Sequence, residues 1–415
     1  MKKLTDYKEE IHKCSKCGLC QSVCPVYQVT GNDCAVSRGK FIMLNGIIKG
    51  DLKLNKNVNK YLDMCLKCNA CKDFCPSGID VCRIFSAAKE EYFEAENSKF
   101  VKILNSMPVF NLIMNLLKLT ANTYRFLRLD KFLRFFYPIL IKCKLGLGQR
   151  IILANEFVSF PLFPLSFPLK QSTKIAIRIV YFTGCVNEYI NPRAKIAAEN
   201  VLKRMGVEVL PAKFQCCGVP FLSCGNAEQF KKQAEFNLVQ IPDEFDYFLT
   251  DCATCQNAFK EYENYIDDEK LFAKLKKINE KSINIVNFIV KNAESIEFSE
   301  KNSFTFHKPC HMENIDFVKE FLAKSKNVEY VEMKDFDKCC GFSGAFAVKN
   351  PKISGQISKE KVQNAVETRA DYILTSCPAC ILGLTQGLID LQSIHHSPFT
   401  IHHFIEFIAK AEIKT

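Results

Sequence analysis

Residues 14–25 read CSKCGLCQSVCP and residues 65–76 read CLKCNACKDFCP, and these two runs decide the first part of the fold. Each run spaces three cysteines by two residues, adds a fourth after three more, and closes on proline: Cys14, Cys17, Cys20, Cys24 and Pro25, then Cys65, Cys68, Cys71, Cys75 and Pro76. Three thiolates so spaced wrap one face of a [4Fe-4S] cubane, and the proline turn carries the fourth to a neighbouring cluster. This assigns Cys14, Cys17, Cys20 and Cys75 to one [4Fe-4S] cluster, and Cys65, Cys68, Cys71 and Cys24 to a second. A structural zinc site pairs two CxxC units and needs neither the third cysteine nor a fourth before proline, so it accounts for less of the pattern. Between the runs, RGKFIMLNGIIKGDLKL is compatible with a helix.

Outward from these runs, the 415 residues are enough for two to four domains, and a composition 48% apolar and 24% charged is that of a folded chain. The anomaly is 22 cysteines. The N-terminal MKKLTDYKEEIHKC has no apolar signal core, which predicts a chain kept in a reducing cytosol, where clustered cysteines hold metal or do redox chemistry. No run of eighteen or more apolar residues is free of charge and proline, so no spanning helix is expected. A net charge of +11 suits nucleic acid or an anionic membrane, yet surplus lysine also makes an ordinary solvated exterior, and no motif supports nucleic-acid binding.

The C-terminal 245 or so residues repeat. Cys185 and Cys310 are 125 residues apart, Cys216/Cys217 and Cys339/Cys340 123, and Cys252/Cys255 and Cys377/Cys380 again 125. Around them, IAIRIVYFTGC and FDYFLTDCATC correspond to SFTFHKPC and ADYILTSCPAC, each a strand ended by small or polar residues with a helical pattern after it. Strand carboxyl ends border the ligand crevice of open α/β sheets, so the thiols are expected to converge there. Each repeat holds a lone cysteine, a CCG and a CxxC: Cys185, Cys216, Cys217, Cys252 and Cys255, then Cys310, Cys339, Cys340, Cys377 and Cys380. Five thiols exceed the four that zinc takes, and Gly218 or Gly341 permits the tight turn that adjacent cysteines need. An iron-sulfur cluster in one or both repeats fits better, with zinc or an empty site remaining as alternatives.

The expected architecture is therefore multidomain: a helical, dicluster ferredoxin-like N-terminal domain (1–95), an apolar and basic connecting and docking segment (96–170), and two duplicated α/β CCG domains (171–300 and 301–415). Residues 101–150 hold nine Lys/Arg against one acid, Asp130, which suits partner docking or an anionic membrane surface. The three prolines of SFPLFPLSFPLK forbid a continuous helix there. Cys34, Cys82, Cys143 and Cys224 fall outside every motif and read as buried small hydrophobes. His307 and His311 flank Cys310 as donors toward a cluster sulfur or as ordinary histidines, and His395/His396 and His402/His403 suggest a separate metal site only weakly. GLGQR lacks the third glycine and preceding strand of a dinucleotide fold, and there is no GxSxG, HExxH or P-loop.

Tandem cluster motifs before two CCG units resemble the iron-sulfur subunit of bacterial glycolate oxidase. The wider group includes the catalytic subunit of heterodisulfide reductase and the iron-sulfur subunit of anaerobic glycerol-3-phosphate dehydrogenase. The likeness spans nearly the whole chain and is carried by CPVYQVTGNDCAVSRGKFIML, CPSGID and IHHFIEFIAKA. Both terminal CxxC pairs are complete, whereas subunits of the glycolate type often lack one cysteine there, and this draws the likeness toward heterodisulfide reductase. The resemblance implies an electron-transfer oxidoreductase subunit for glycolate or D-lactate, with two [4Fe-4S] clusters and further clusters in the CCG domains. It also implies flavoprotein dehydrogenase partners, a quinone or other acceptor, and a peripheral position on the cytoplasmic face of the inner membrane. The alternatives it carries are a catalytic CCG subunit that reduces a disulfide, as in heterodisulfide reductase, and the iron-sulfur subunit of an anaerobic glycerol-3-phosphate dehydrogenase.

Overall fold

The computed structural model describes residues 3–96, 106–126, 177–392 and 400–415. Residues 3–96 form helices, among them Leu19–Val23, Pro25–Thr30, Ser37–Lys49, Lys56–Leu62, Ala70–Asp73 and Val81–Glu96. The two cysteine runs are superposable copies 51 residues apart, down to the backbone. Lys16 and Lys67 have φ of 58° and 52°, and Gly18 and Asn69 have 86° and 62°. These left-handed residues bend each C-x-x-C-x-x-C around a centre and aim amides at sulfur, as in the 3.4 Å bond from Lys67 N–H to Cys65 Sγ. The conformation costs a non-glycine residue roughly 1–2 kcal/mol, which sulfur-directed bonds and bound metal offset. Leu44, Leu62, Ile84 and Ala88 are wholly buried between the helices, beneath Phe41 and Phe85 with ring centroids 5.3 Å apart.

The remainder holds two parallel sheets. In the first, β1 (Arg178–Phe182), β2 (Glu208–Val209), β3 (Tyr247–Thr250) and β4 (Ser282–Asn284) lie in the order β2-β1-β3-β4. In the second, β5 (Ser295–His307), β6 (Ser325–Tyr330), β7 (Tyr372–Thr375) and β8 (Thr400–His403) lie in the order β6-β5-β7-β8. β9 (Glu412–Lys414) adds antiparallel to β5. The repeat holds at the level of register: Ile179 faces Tyr247 and Phe304 faces Tyr372, each partner 125 residues on. β1, β3, β7 and the Phe304–His307 end of β5 are buried on both faces, as parallel strands covered by helices must be. The expected boundary at 300/301 falls inside β5, a single strand that pairs β9 at its start and β7 at its end.

Polar contacts from Asp63, Glu90 and Lys67 dock the helical domain on the sheets. Asp63, paired with Lys89 at 2.7 Å inside the helical domain, reaches Lys349 at 2.8 Å, and its carbonyl accepts from Asn350 Nδ2 at 3.1 Å. Tyr265 Oη donates to Glu90 at 2.6 Å, and His311 Nε2 meets the Lys67 carbonyl at 3.1 Å. Gly225, at φ +90°, lies so close to the Lys89 carbonyl that a Cβ would collide with it.

Of the 96–170 segment, only Glu96 and 106–126 are described; Cys143 and the proline run lie outside the described residues. Helix Met107–Phe126 buries Met107 and Met114 and exposes Leu112, Ile113 and Leu116. Among the described residues no helix is long and apolar enough to cross a membrane.

Candidate metal centres

The motif cysteines of the helical domain line two adjoining cavities. Cys14, Cys17, Cys20 and Cys75 line one, Cys24, Cys65 and Cys68 line the other, and Cys71 borders both. Burial pushes the Cys24 thiol up to about 11 and raises Cys71 as well, so both keep their protons at neutral pH until a metal displaces them. Two sets of soft sulfur donors, converging around separate voids with amides turned inward, fit iron-sulfur clusters.

In the first CCG domain the local structure follows from where β1 and β3 end. Gly184 leads into helix Cys185–Tyr189, and Cys252 caps helix Ala253–Glu261, its sulfur accepting from the Cys255 amide at 3.3 Å. Cys216 and Cys217 sit in a turn closed by Gly218 at φ +84°, and the second domain repeats this with Gly341 at +82°. Buried side chains hold these turns by their carbonyls: Asn237 donates to Cys216 at 3.2 Å and Tyr262 to Cys217 at 2.8 Å. Ser358 donates to Cys340 at 2.6 Å and Ser354 to Gly341 at 2.8 Å.

These turns bring all ten CCG thiols together in one line. Cys216 bonds Cys185 and Cys217, and Cys217 is pulled well down by bonds from Cys216 and Cys255. Cys255 touches Cys252, which reaches across to Cys377 of the second domain. Hydrogen bonds from Cys252 and Cys380 pull Cys377 down, and Thr254 Oγ1 lies 3.5 Å from its sulfur. From Cys380 the contacts run to Cys340, Cys339 and Cys310, and Cys339 meets Cys68 of the helical domain. Backbone bonds fix the junction between the CCG domains: Ala253 N–H donates to the Ser376 carbonyl at 3.3 Å, and His403 Nε2 lies 2.6 Å from the Asp251 carbonyl.

Some of these neighbours were not expected from the sequence. Cys82 does more than fill space, because it lines the cavity of Cys24, Cys65 and Cys68 and hydrogen-bonds Cys65. It sits on the helix after the second motif, where no spacing rule marks it. His311 binds the Lys67 carbonyl, and His402 lies 3.5 Å from Glu406. His403 serves the domain junction, while His395 and His396 lie outside the described residues. His307 is buried beside Cys340 and Cys380.

Known proteins give the same division. Residues 10–79 match the 4Fe-4S dicluster domain, and residues 179–260 and 304–385 match the cysteine-rich domain. A crystal structure of a hypothetical protein from Helicobacter pylori shares the fold at a TM-score of 0.51, over 90% of this chain and 67% of that one, at 8% identity. Lactate utilization protein A of Bacillus cytotoxicus is 31% identical over 216 residues, 50% of this chain and 90% of that protein. The protein of the same name in Macrococcus caseolyticus is 29% identical over 231 residues, 53% of this chain and 94% of its own. The fold and its thiols define an iron-sulfur protein, with [4Fe-4S] clusters in a dicluster domain and two cysteine-rich domains behind it. Within that class, the chain belongs to the lactate utilization protein A family.

Proposed function

We propose that this chain is the electron-transfer subunit of a flavin-dependent 2-hydroxy-acid dehydrogenase complex, passing electrons from a flavoprotein partner toward a quinone. In this reading Cys14, Cys17, Cys20 and Cys75 hold one [4Fe-4S] cluster, and Cys65, Cys68, Cys71 and Cys24 the other. The five cysteines of each CCG domain hold a further iron-sulfur centre. The observation that carries the reading is the unbroken line of sulfur from Cys185 through Cys252, Cys377 and Cys339 to Cys68. Bound clusters supply one-electron redox centres. The chain's own residues would hold those centres and exclude water from them, with Cys252 at 4%, Cys377 at 1% and Cys340 at 1% exposure. Such burial disfavours direct attack on a disulfide substrate, which needs an accessible sulfur. Glycolate is implied by the sequence resemblance and lactate by the relatives' name; both are small 2-hydroxy acids, and lactate is the first substrate to test.

Oxidising such an acid needs a hydride acceptor, a base and a carboxylate clamp, which the clustered thiols do not supply. The isolated chain is therefore expected to leave lactate and glycolate unoxidised. Adding a flavoprotein dehydrogenase should give acid-dependent quinone reduction, and Cys17→Ala should block that reduction while the flavin is still reduced by substrate. Oxidation of either acid by the flavin-free chain at a comparable rate would refute the assignment.

We further propose that the basic segment around helix Met107–Phe126 holds the chain to its partners at the cytoplasmic face of a membrane. Screening shortens the reach of such charges to about 3 Å at 1 M salt. High salt or carbonate should thus move the protein from membrane to supernatant, and release by detergent alone would contradict a peripheral attachment.

A further inference from the structure

The two CCG sites differ by one donor. β1 on β3 and β5 on β7 share a register, so Phe182 opposite Thr250 corresponds to His307 opposite Thr375. Phe182 is spent on packing, with ring centroids 4.9 Å from Phe214 and 5.2 Å from Phe259. His307 is equally buried, at 0% exposure, and its ring lies against the Cys340 sulfur with no oxygen or nitrogen partner. An imidazole denied water and facing a weakly bonding sulfur carries a desolvation cost of about a few kcal/mol, which a buried polar group normally recovers through a stronger bond. The group placed to supply one is at hand. A ring nitrogen of His307 and the sulfurs of Cys340 and Cys380 all lie within 4.8 Å of one another, a separation that one metal ion can span. Imidazole nitrogen is a common iron donor beside thiolate sulfur.

We propose that His307 is a nitrogen ligand to iron at the second CCG site, a donor that the first site lacks. The proposal rests on that site holding an iron-sulfur centre. The second site adjoins both neighbours, through Cys68 on one side and Cys252 on the other.

The test is pulsed EPR of the anaerobically reduced full chain, grown with and without 15N-histidine. The expected result is a strongly coupled nitrogen on the second CCG centre that responds to the isotope and disappears in His307→Phe. That variant copies the residue of the first site, and its second centre should be reduced at a shifted potential with the iron content unchanged. Absence of a histidine nitrogen from the spectrum of the unaltered protein would overturn the ligand, whatever the variant does. An iron analysis run beside it separates the two failures. Iron limited to about eight per chain, the content of two cubanes, would remove the premise and the proposal together. A filled second CCG site without nitrogen coupling would remove the ligand alone.

Discussion

Anaerobically reconstituted Cys68→Ala protein is expected to lose about four irons per chain, one cubane, while the cluster of Cys14, Cys17, Cys20 and Cys75 survives. Cys68 lines the second cavity and is also the sulfur that meets Cys339. The same change therefore empties a site and opens a gap in the line between the helical domain and the CCG domains. Iron and sulfide analysis reads the first effect. The second appears as CCG centres that no longer exchange electrons with the remaining cubane, followed by EPR after stepwise reduction. Cys34→Ala is the control, since Cys34 lies in the Asp33–Ala35 turn and borders neither cavity. Full iron in Cys68→Ala would defeat the ligand assignment.

The second large effect is expected at the dock. Asp63 and Lys89 are 14% and 6% exposed in their side chains and 2.7 Å apart, so Asp63→Ala leaves an ammonium buried without its partner. Breaking a buried pair from one side costs roughly 3–5 kcal/mol. Lys349, at 34% exposure, is the outer member, and Lys349→Ala should cost about 1 kcal/mol or less. Replacing both inner partners, Asp63→Leu with Lys89→Met, should recover most of the loss, because two apolar groups of similar size need no counter-charge. Denaturant titration of the anaerobic protein gives all four values. A loss in Asp63→Ala no larger than in Lys349→Ala would show that the buried pair beneath the dock contributes little to stability.

The cluster motifs and the duplication were legible in the sequence because each is local. C-x2-C-x2-C-x3-C-P is a spacing rule, and a repeat of 125 residues keeps its cysteines in step. The strand ends carried the CCG thiols to one edge because parallel sheets place loops there. What lay hidden depends on docking. Nothing along the chain places Cys339 against Cys68, since that contact depends on docking through Asp63, Lys349 and Asn350. Cys82 was hidden for a related reason: it reaches Cys65 only through the turn that leads into Val81–Glu96. The 300/301 boundary missed β5 because a strand that ends one sheet contact and begins another leaves no break in composition. His307 reads as one more strand residue until its register shows phenylalanine at the matching place.

The junction between the CCG domains has a consequence beyond electron passage. Cys252 and Cys377 are counterparts in the repeat and touch one another, so they lie astride a pseudo-two-fold axis. The Ala253 amide bonds the Ser376 carbonyl, but the counterpart of Ala253 is Pro378, which has no N–H to return the bond. The carbonyl left over, on Asp251, is taken by His403. A chain carrying a single such unit would thus have the means to form an isologous homodimer, with its own CxxC thiols paired across the axis. In the fused chain each half keeps the shared face but is free to change alone, and a proline on one side already gives the joint a polarity that identical subunits lack.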